Sequence, residues 1–330
     1  MARFLTLAAD RLGPEGPMGA RLHGWPGDMS ARGDAVPLRL AAGLHALVLS
    51  GRDPGLAAVW PAPAAVTDAT LWAAVADALA RHEAWLTDWL DRAPQTNEVA
   101  RSAVLIAAAH WLGGGSLVVS ELGASAGLNL LFDRWRLETP GGGLGPEAAP
   151  VRLAPRWTGG PPAPADVTIA DRAGVDLHPC DPVTDRLRLL AYVWADQPQR
   201  LARMAAALDV AARQRPGVAA GDAADWLAGR LGVRHAGALH LVCHTIAWQY
   251  FPPVTQARCA ALLAEAGAVA DADAPLAHLS MEADAVRDGA ALTLTLWPPG
   301  AAWVLGRADF HGRWLRWAPP VARAPRPAIC

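Results

Sequence analysis

The segment from Leu117 to Leu128 carries residue types that can hold a polar ligand. The apolar run Leu117-Val118-Val119 predicts a short buried strand that leads into Glu121-Leu122-Gly123-Ala124-Ser125-Ala126-Gly127. A strand that turns through glycines into a helix brings backbone N–H groups and the positive helix end to one point, which suits an anionic or polar group. Glu121 stands where a ligand amine or hydroxyl would be held. A tight strand-to-helix connection with a solvated glutamate explains the same residues without function.

Two later acids also follow predicted strands. Asp176 ends the segment Gly174-Val175-Asp176-Leu177, and Asp222 ends a predicted strand over 218–222. In a doubly wound sheet the carboxyl ends of the parallel strands lie along one edge, where such folds bind ligands. We therefore expect Glu121, Asp176 and Asp222 to lie along one cleft.

The elements that must position these acids form an alternating pattern of strands and helices. This alternation predicts an α/β fold with a mostly parallel, Rossmann-like sheet, and the final strands, which lack helices between them, predict an antiparallel edge. Predicted helices cover 38–49, 68–90, 98–111, 128–135, a stretch from 184 divided at Pro198, 223–231 and 254–266; predicted strands cover 117–119, 167–169, 174–177, 218–222, 239–244, 276–281, 292–296 and 303–305, with a hairpin turn at 310–313.

Three regions follow from this pattern. Residues 1–112 form a helical N-terminal region, and residues 113–318 form the Rossmann-like domain. Within that domain a Gly- and Pro-rich insert covers 139–165, with one possible edge strand at 151–157. Residues 319–330, with their prolines, are expected to be an extended and flexible tail.

The strand-end acids and the glycine turn resemble class I S-adenosylmethionine-dependent methyltransferases. In that family an E/D-x-G-x-G-x-G turn ends the first strand, an acid ending the second strand takes the ribose hydroxyls, and an acid after the third lies by the adenine. The end of the fourth strand faces the substrate. The resemblance implies a methyltransferase-type sheet with S-adenosylmethionine as cofactor.

Carried over residue by residue, the resemblance implies a set of cofactor-binding positions. Glu121, Gly123 and Gly127 would hold the methionine end together with Ser125 and Asn129, Asp176 would take the ribose and Asp222 the adenine amine. Ser125 stands where the family has its middle glycine, and the fourth strand lacks the D/N-P-P-Y/F signature of amide and base methylases. The methyl acceptor is thus open between a small molecule and a protein side chain.

The chain is also identified as resembling a bacterial family called domain of unknown function 2332, and this resemblance covers nearly its whole length. It rests on five motifs: Gln95-Thr96-Asn97-Glu98-Val99 with Arg101, the 121–129 segment, Trp194-Ala195-Asp196-Gln197, His244-Thr245 with Trp248-Gln249-Tyr250, and His311-Gly312. The family implies no settled activity.

Cys243-His244-Thr245 ends the fourth predicted strand, so His244 and Thr245 are the candidate catalytic residues. Imidazole titrates near neutral pH, and His244 can take a proton from a substrate nucleophile; a core histidine is the competing explanation. His240 with His244, and His178 with Cys180 and Asp181, match no recognised metal spacing, so we expect no metal site.

Asn97, Glu98 and Arg101 precede the sheet in a polar run. Thr96-Asn97-Glu98 can serve as a helix N-cap with an acid in the first turn. The same run can instead form a lid over the cofactor or substrate, with Arg101 pairing a carboxylate.

Two other function classes fit the sequence. Gly123-Ala124-Ser125-Ala126-Gly127 is G-x-S-x-G between a strand and a helix, and Ser125, Asp222 and His244 occur in the order of an α/β-hydrolase triad. The helical region before residue 113 argues against that class, because such hydrolases place several strands before the nucleophile. A catalytically silent Rossmann-like module that binds a nucleotide or a protein partner is the other alternative.

Composition limits the partners. All 29 basic residues are arginine and 31 residues are acidic, so the net charge is -2 and nucleic-acid binding is not expected. Apolar runs fall short of the ~20 residues that span a bilayer, and no signal-like segment opens the chain, which favours a cytoplasmic protein. The four cysteines are far apart and predict neither a disulfide framework nor a zinc ribbon.

Overall fold

The structure, a computed structural model, describes residues 1–30 and 33–320, so the predicted tail lies almost entirely outside the described residues. The chain divides into two units, one made of 1–96 and 183–205 and the other of 97–182 and the residues from 206 onward. Across the described ranges, no helix combines the length and the apolar character needed to cross a membrane.

The first unit is helical, as the N-terminal pattern predicts. Thr67 caps one helix by accepting the Thr70 amide, but the predicted single helix over 68–90 is two helices that meet at His82. The fully buried carboxylate of Asp53 contacts Arg81 and His82, each at 3.1 Å, and so fixes the point where the two helices meet. The helices of this unit are α1 (Ala2–Arg11), α2 (Gly16–His23), α3 (Val36–Leu49), α4 (Pro54–Ala57), α5 (Asp68–Arg81), α6 (Glu83–Leu90) and α8 (Arg186–Ala191).

The second unit is built on a nine-stranded sheet with a mostly parallel strand pairing. Its strands in spatial order are β5 (Arg156–Thr158), β12 (Trp314–Trp317), β11 (Ala301–Ala308), β10 (Ala290–Trp297), β9 (Leu276–Glu282), β8 (Leu239–Thr245), β1 (Gly115–Leu122), β6 (Val167–Asp176) and β7 (Val218–Ala220). The five strands from β9 to β7 are all parallel, and β9 to β12 pair antiparallel. The mixed α/β architecture with an antiparallel end is therefore confirmed.

Helices cover both faces of the parallel half. α10 (Ala223–Leu231) and α11 (Pro253–Ala268) bury Leu227 and Leu263 against Val242 and Leu276 on one face. α7 (Ser102–Trp111) lies against the other face, where its Trp111 meets Trp303 edge to face with ring centroids 6.0 Å apart. Because helices cover both faces, every residue of β8 is buried, including the polar His240, His244 and Thr245. α9 (Pro198–Gln214) connects the two units along the chain.

The predicted Gly/Pro-rich insert is structured. β2 (Arg136–Thr139), β3 (Gly142–Leu144) and β4 (Arg152–Leu153) form a small three-stranded sheet. β5 then joins the edge of the large sheet parallel to β12, so an edge strand does form near the predicted 151–157. The strand periodicity was hidden because these strands are only two to four residues long.

Three further boundaries differ from the sequence pattern. The predicted strands 167–169 and 174–177 are one strand, β6, which pairs with β1 through a register shift. The predicted helix over 128–135 is a 3-10 helix, Asn129–Arg134, with a non-helical Leu131. Side chains take the carbonyls an α-helix would use: Trp135 donates to Leu128 and Arg172 to Leu130. The segment 97–112, predicted with the N-terminal region, belongs to the sheet unit because α7 packs on the sheet.

Candidate functional site

The parallel strands reverse their spatial order at the carboxyl end of β1. The chain runs from β1 outward to β6 and β7 and then returns to the other side of β1 for β8 and β9. In doubly wound sheets the crevice beside such a reversal is where ligands bind. Glu121 is the next-to-last residue of β1 and pairs with Gly174 of β6 and Cys243 of β8, so the candidate site lies at this edge.

The turn after β1 is tight because it packs directly on the turn after β8. Gly123 has φ +73°, and a Cβ added to it would lie 2.4 Å from the Cβ of Ala247. Gly127 has φ +71°, and an added Cβ would meet Pro216 at 2.9 Å. These two glycines are required by close packing as well as by their left-handed backbone.

Two residues other than glycine adopt left-handed backbone in these same connections. Ser125 has φ +52° after β1, and the β-branched Ile246 has φ +53° after β8. Such a conformation costs of order 1–3 kcal/mol and persists only where the surrounding structure imposes it. Backbone strain is therefore concentrated at the reversal point of the sheet.

The amides of the glycine turn are bonded within the protein. Gly123 and Ala124 both donate to the carbonyl of Val175, at 2.9 and 3.0 Å. Ser125 donates to Asp176 at 2.9 Å, Gly127 to the Ala124 carbonyl at 2.8 Å, and Leu128 to Asn97 at 3.0 Å. These amides do not form an open cradle for a phosphate, and no α-helix follows to add its dipole.

Glu121 is the most perturbed carboxyl group at this edge. Its side chain is 1% exposed, and its Oε2 has no hydrogen-bond partner. Burial raises the pKa of Glu121 to about 8; a hydrogen bond from Asn129 and the charge of Arg101 oppose this shift, and the charge of Asp176 adds to it. The carboxyl group is therefore largely neutral at pH 7. A buried carboxyl oxygen without a hydrogen-bond partner marks a place for a polar ligand group.

A buried polar network surrounds Glu121. Asn129 accepts a 2.7 Å hydrogen bond from Ser102, and Asn97 fixes the start of the 3-10 helix through the Leu128 amide. Glu98 caps the turn leading into α7 by accepting the Ala100 amide at 3.1 Å. All of these side chains are buried, so the predicted lid residues Asn97 and Glu98 have structural roles in the network.

Arg101 ties this network to two other segments. Its Nη1 donates to the carbonyl of Thr245 at 3.0 Å, and its Nε donates to the carbonyl of Phe310 at 2.9 Å. Gly312, with φ +70°, allows the loop after β11 to approach Ala100, whose Cβ would lie 2.5 Å from an added Cβ. The late His311-Gly312 motif thus packs against the segment that carries Arg101.

Asp176 and Asp222 accept hydrogen bonds from the fold itself. The Asp176 carboxylate accepts the amides of Ser125 and His178, each at 2.9 Å. Asp222 caps α10 through the amides of Ala224 and Asp225 and also accepts from Thr255 at 2.8 Å. Burial is the largest single effect on the pKa of Asp222 and raises it, but these hydrogen bonds and the charge of Arg258 together hold the pKa below its usual value.

His244 and Thr245 lie at the end of β8, where the sequence pattern places them. Both are buried, and the His244 ring stacks on Trp248 with centroids 4.7 Å apart. His244 Nδ1 lies 2.7 Å from Oε1 of Glu282, and its Nε2 lies 2.9 Å from Nε2 of His278. Burial, with the nearby His244, lowers the pKa of His278 to about 3, so His278 is neutral.

Glu282 and His278 also contact the end of β8, although no motif in the sequence singled them out. Both belong to β9, where His278, Ser280 and Glu282 alternate with buried Leu279 and Met281. That period-two polar face was the available signal, since parallel pairing places Ser280 directly beside His244.

The structure does not assemble a Ser125-Asp222-His244 triad. Both ring nitrogens of His244 are engaged by Glu282 and His278, and Asp222 is engaged by the α10 amides and Thr255. A nucleophilic serine requires its histidine within hydrogen-bond reach, so the geometry does not favour a hydrolase. In the described part of the chain, no group of three or more His, Cys, Asp or Glu side chains is placed to hold a metal ion.

Fold and site together define a mixed α/β protein whose mostly parallel sheet gathers a buried polar network at its carboxyl edge. The chain belongs to the bacterial family described as "Uncharacterized protein conserved in bacteria (DUF2332)", whose family model matches residues 1–317. This match confirms the family resemblance. No curated protein and no solved structure matches the chain.

Proposed function

We propose that the chain is an S-adenosylmethionine-binding, methyltransferase-like enzyme that acts on a small molecule or a protein side chain. The observation that carries this proposal is Glu121, a fully buried carboxyl group with one unpartnered oxygen at the point where the strand order reverses. A cationic ligand group placed against Oε2 would supply the missing partner.

The strand order supports a ligand at this edge. Numbered along the chain, the five parallel strands lie in the order 3-2-1-4-5, which is the core of the doubly wound dinucleotide-binding sheet. Glu121 lies at the carboxyl end of the first strand, Asp176 ends the second, and Asp222 follows the third. These are the positions that the methyltransferase resemblance assigns to the methionine end, the ribose and the adenine.

The chemistry of the edge favours a cationic ligand over a phosphorylated one. The turn amides that would cradle a phosphate already donate to Val175, Asp176 and Asn97. The side chains at the strand ends are carboxyl groups, and Asp222, whose pKa lies below its usual value, keeps a negative charge that repels phosphate and attracts an ammonium. S-adenosylmethionine carries an ammonium and a sulfonium and has no phosphate.

The residues present fit the parts of this cofactor. Glu121 would bind the ammonium group of the methionine end. Arg101, whose charge is close enough to lower the pKa of Glu121, would bind the carboxylate of the same methionine end. The Asp176 oxygens each accept one amide and retain a lone pair for a ribose hydroxyl. When bound, S-adenosylmethionine supplies an electrophilic methyl group.

A catalytically silent binding module is the second candidate function. The observation that favours it is the same closed turn, because hydrogen bonds within the protein already satisfy the amides of Gly123, Ala124 and Ser125. In that case the buried polar network stabilises the fold, and the ligand is a protein partner or a nucleotide held elsewhere.

Thermal unfolding with a ligand panel separates these candidates. At a concentration a hundredfold above Kd, S-adenosylmethionine or its demethylated product should add about 2.7 kcal/mol, roughly a four-degree rise in Tm for a chain this long. ATP and NAD should give no comparable rise, because the edge lacks free amides for phosphate. A rise with the nucleotides alone, or with none of the ligands, would favour the silent module.

A further inference from the structure

Two buried carboxyl oxygens lack a hydrogen-bond partner in the described residues, Oε2 of Glu121 and Oε2 of Glu282. Glu121 lies at the carboxyl end of β1, and Glu282 is the last residue of β9. Both oxygens therefore lie at the same edge of the sheet. A buried acceptor without a partner is costly, so each requires an explanation.

The other oxygen of Glu282 is firmly held. Oε1 accepts three hydrogen bonds, from Nδ1 of His244 at 2.7 Å and from the amides of Ala247 and Trp248 at 3.0 and 3.1 Å. These donors fix the orientation of the carboxylate, and Oε2 accepts no hydrogen bond. Oε2 is therefore an acceptor held in one orientation.

The hydrogen-bond pattern assigns His244 a positioning role. We assign the proton of His244 to Nδ1, because Nδ1 lies 2.7 Å from a Glu282 oxygen that can accept it; its Nε2 then accepts from the neutral His278. With both nitrogens engaged and its side chain buried, His244 cannot also accept a proton from a substrate in this arrangement. The neighbouring candidate acid–base group is Oε2 of Glu282, which accepts no hydrogen bond.

We propose that Glu282 is the catalytic residue that receives the methyl acceptor, and that the acceptor is an amine or hydroxyl compound whose N–H or O–H is donated to Oε2. This inference rests on the proposed methyltransferase function and specifies its substrate class. His244 and His278 act as positioning residues for the carboxylate.

The proton balance is simple. The N–H or O–H bond of the acceptor breaks, its electron pair stays on the acceptor atom, and the proton moves to Oε2. Glu282 becomes a neutral carboxylic acid that still accepts its three hydrogen bonds at Oε1. The acceptor atom is left with an electron pair for the electrophilic methyl group, and Glu282 later returns the proton to solvent.

The loop after β8 connects the two unpartnered oxygens. Its Ala247 packs against Gly123 of the turn that follows Glu121, while the amides of Ala247 and Trp248 hold Glu282. The ring of Tyr250, in the same loop, is 73% exposed and offers an aromatic surface to an organic acceptor. The methyltransferase resemblance places the acceptor at this same strand end.

The Glu282→Gln variant tests this proposal with little change in shape. The Gln oxygen can accept the same three hydrogen bonds, which leaves an NH2 donor where Oε2 was an acceptor. Glu121→Gln makes the same change at the other unpartnered oxygen and is the matched control. The probes are methylammonium and phenol as donors, with tetramethylammonium and anisole as their counterparts without a donor.

Binding is measured by saturation-transfer NMR on the full chain, with and without S-adenosylhomocysteine. Methylammonium and phenol should bind the wild type better than their counterparts and should lose about tenfold or more in affinity in Glu282→Gln. Glu282→Gln should bind S-adenosylhomocysteine with the affinity of the wild type. Glu121→Gln should instead bind S-adenosylhomocysteine more weakly and bind methylammonium and phenol as the wild type does. Equal binding of donor and non-donor probes, or no effect of Glu282→Gln, would overturn the proposal.

A failure of S-adenosylhomocysteine to bind the wild type would refute the proposed function separately, because the probes can be titrated without it. If Glu282→Gln does not fold, the imidazole ¹⁵N spectrum of the wild type decides. It should show the proton of His244 on Nδ1 and an unprotonated Nε2. The opposite tautomer would mean that His244 does not donate its Nδ1 proton to Glu282, and this result would overturn the proposal.

Discussion

Replacing Glu121 with Gln is expected to stabilise the protein at pH 8 and to remove a steep pH dependence. Burial raises the pKa of Glu121 from 4.5 to about 8, so between these values the native state holds a proton that the unfolded state releases. The stabilisation linked to that proton is complete below pH 4.5 and is lost as pH rises through about 8. Within this window it falls by about 1.4 kcal/mol per pH unit.

Denaturant unfolding of the wild type and Glu121→Gln at a series of pH values measures this effect. The free energy of unfolding of the wild type should fall relative to that of Glu121→Gln as pH rises from 5 to 8. Arg101, Asp176, Asn129 and Cys243 all face this carboxyl group and are unchanged in the comparison. Glu265→Gln, at an exposed position of α11, is the control and should follow the wild type. Parallel profiles for wild type and Glu121→Gln would show that the carboxyl group is ionised when buried.

Gly123→Ala is expected to have the second largest effect, about 2–5 kcal/mol of lost stability. A left-handed backbone costs a residue with a Cβ about 1–2 kcal/mol, and overpacking adds about 1–3 kcal/mol. The overpacking arises because the new methyl group would lie 2.4 Å from Ala247. Denaturant unfolding of the variant gives the total loss.

The matched control for Gly123 is Gly237. It has the same φ of +73°, but an added Cβ would have no atom within 4 Å. Gly237→Ala should therefore lose only the backbone part, about 1–2 kcal/mol. The difference between the two variants measures the contact between the turns after β1 and β8. Equal losses would mean that these turns are not in contact.

Elements with long regular patterns were predictable from the sequence. The buried strand β8 and the helices α7, α10 and α11 are confirmed, because each contains at least seven residues rich in apolar side chains; the predicted helix over 68–90 forms as the two helices α5 and α6. The 3-10 helix after the glycine turn was not predictable. Its course depends on Trp135 and Arg172, which take main-chain carbonyls from outside the segment, and this competition has no local sequence pattern.

The candidate site was predictable in position but not in its hydrogen bonds. The order of strands and helices correctly indicated that Glu121 and Asp176 end adjacent parallel strands. It could not indicate that the Asp176 carboxylate bonds the turn itself, because that depends on side-chain direction. Glu282 was missed for a related reason: its link to His244 exists only once β8 and β9 pair in a specific register.

The buried polar network gives the residues of the candidate site a structural role. Arg101 connects the end of β8 to the loop after β11, and Asn97 connects the start of the network to the turn after β1. Substitution of either residue would move the strand ends that hold Glu121. Loss of ligand binding in such variants would not by itself identify a ligand contact, which is why the isosteric Glu→Gln changes are the more informative ones.

Calorimetric titration with S-adenosylmethionine at pH 7, in two buffers that differ in ionisation enthalpy, tests the central claim most directly. Because Glu121 is largely protonated at this pH, a bound ammonium should displace about one proton, seen as a difference in apparent heat between the buffers. In Glu121→Gln the affinity should fall by about tenfold or more and the proton release should vanish. An absence of binding heat in both buffers, or the same proton release from Glu121→Gln as from the wild type, would contradict the account.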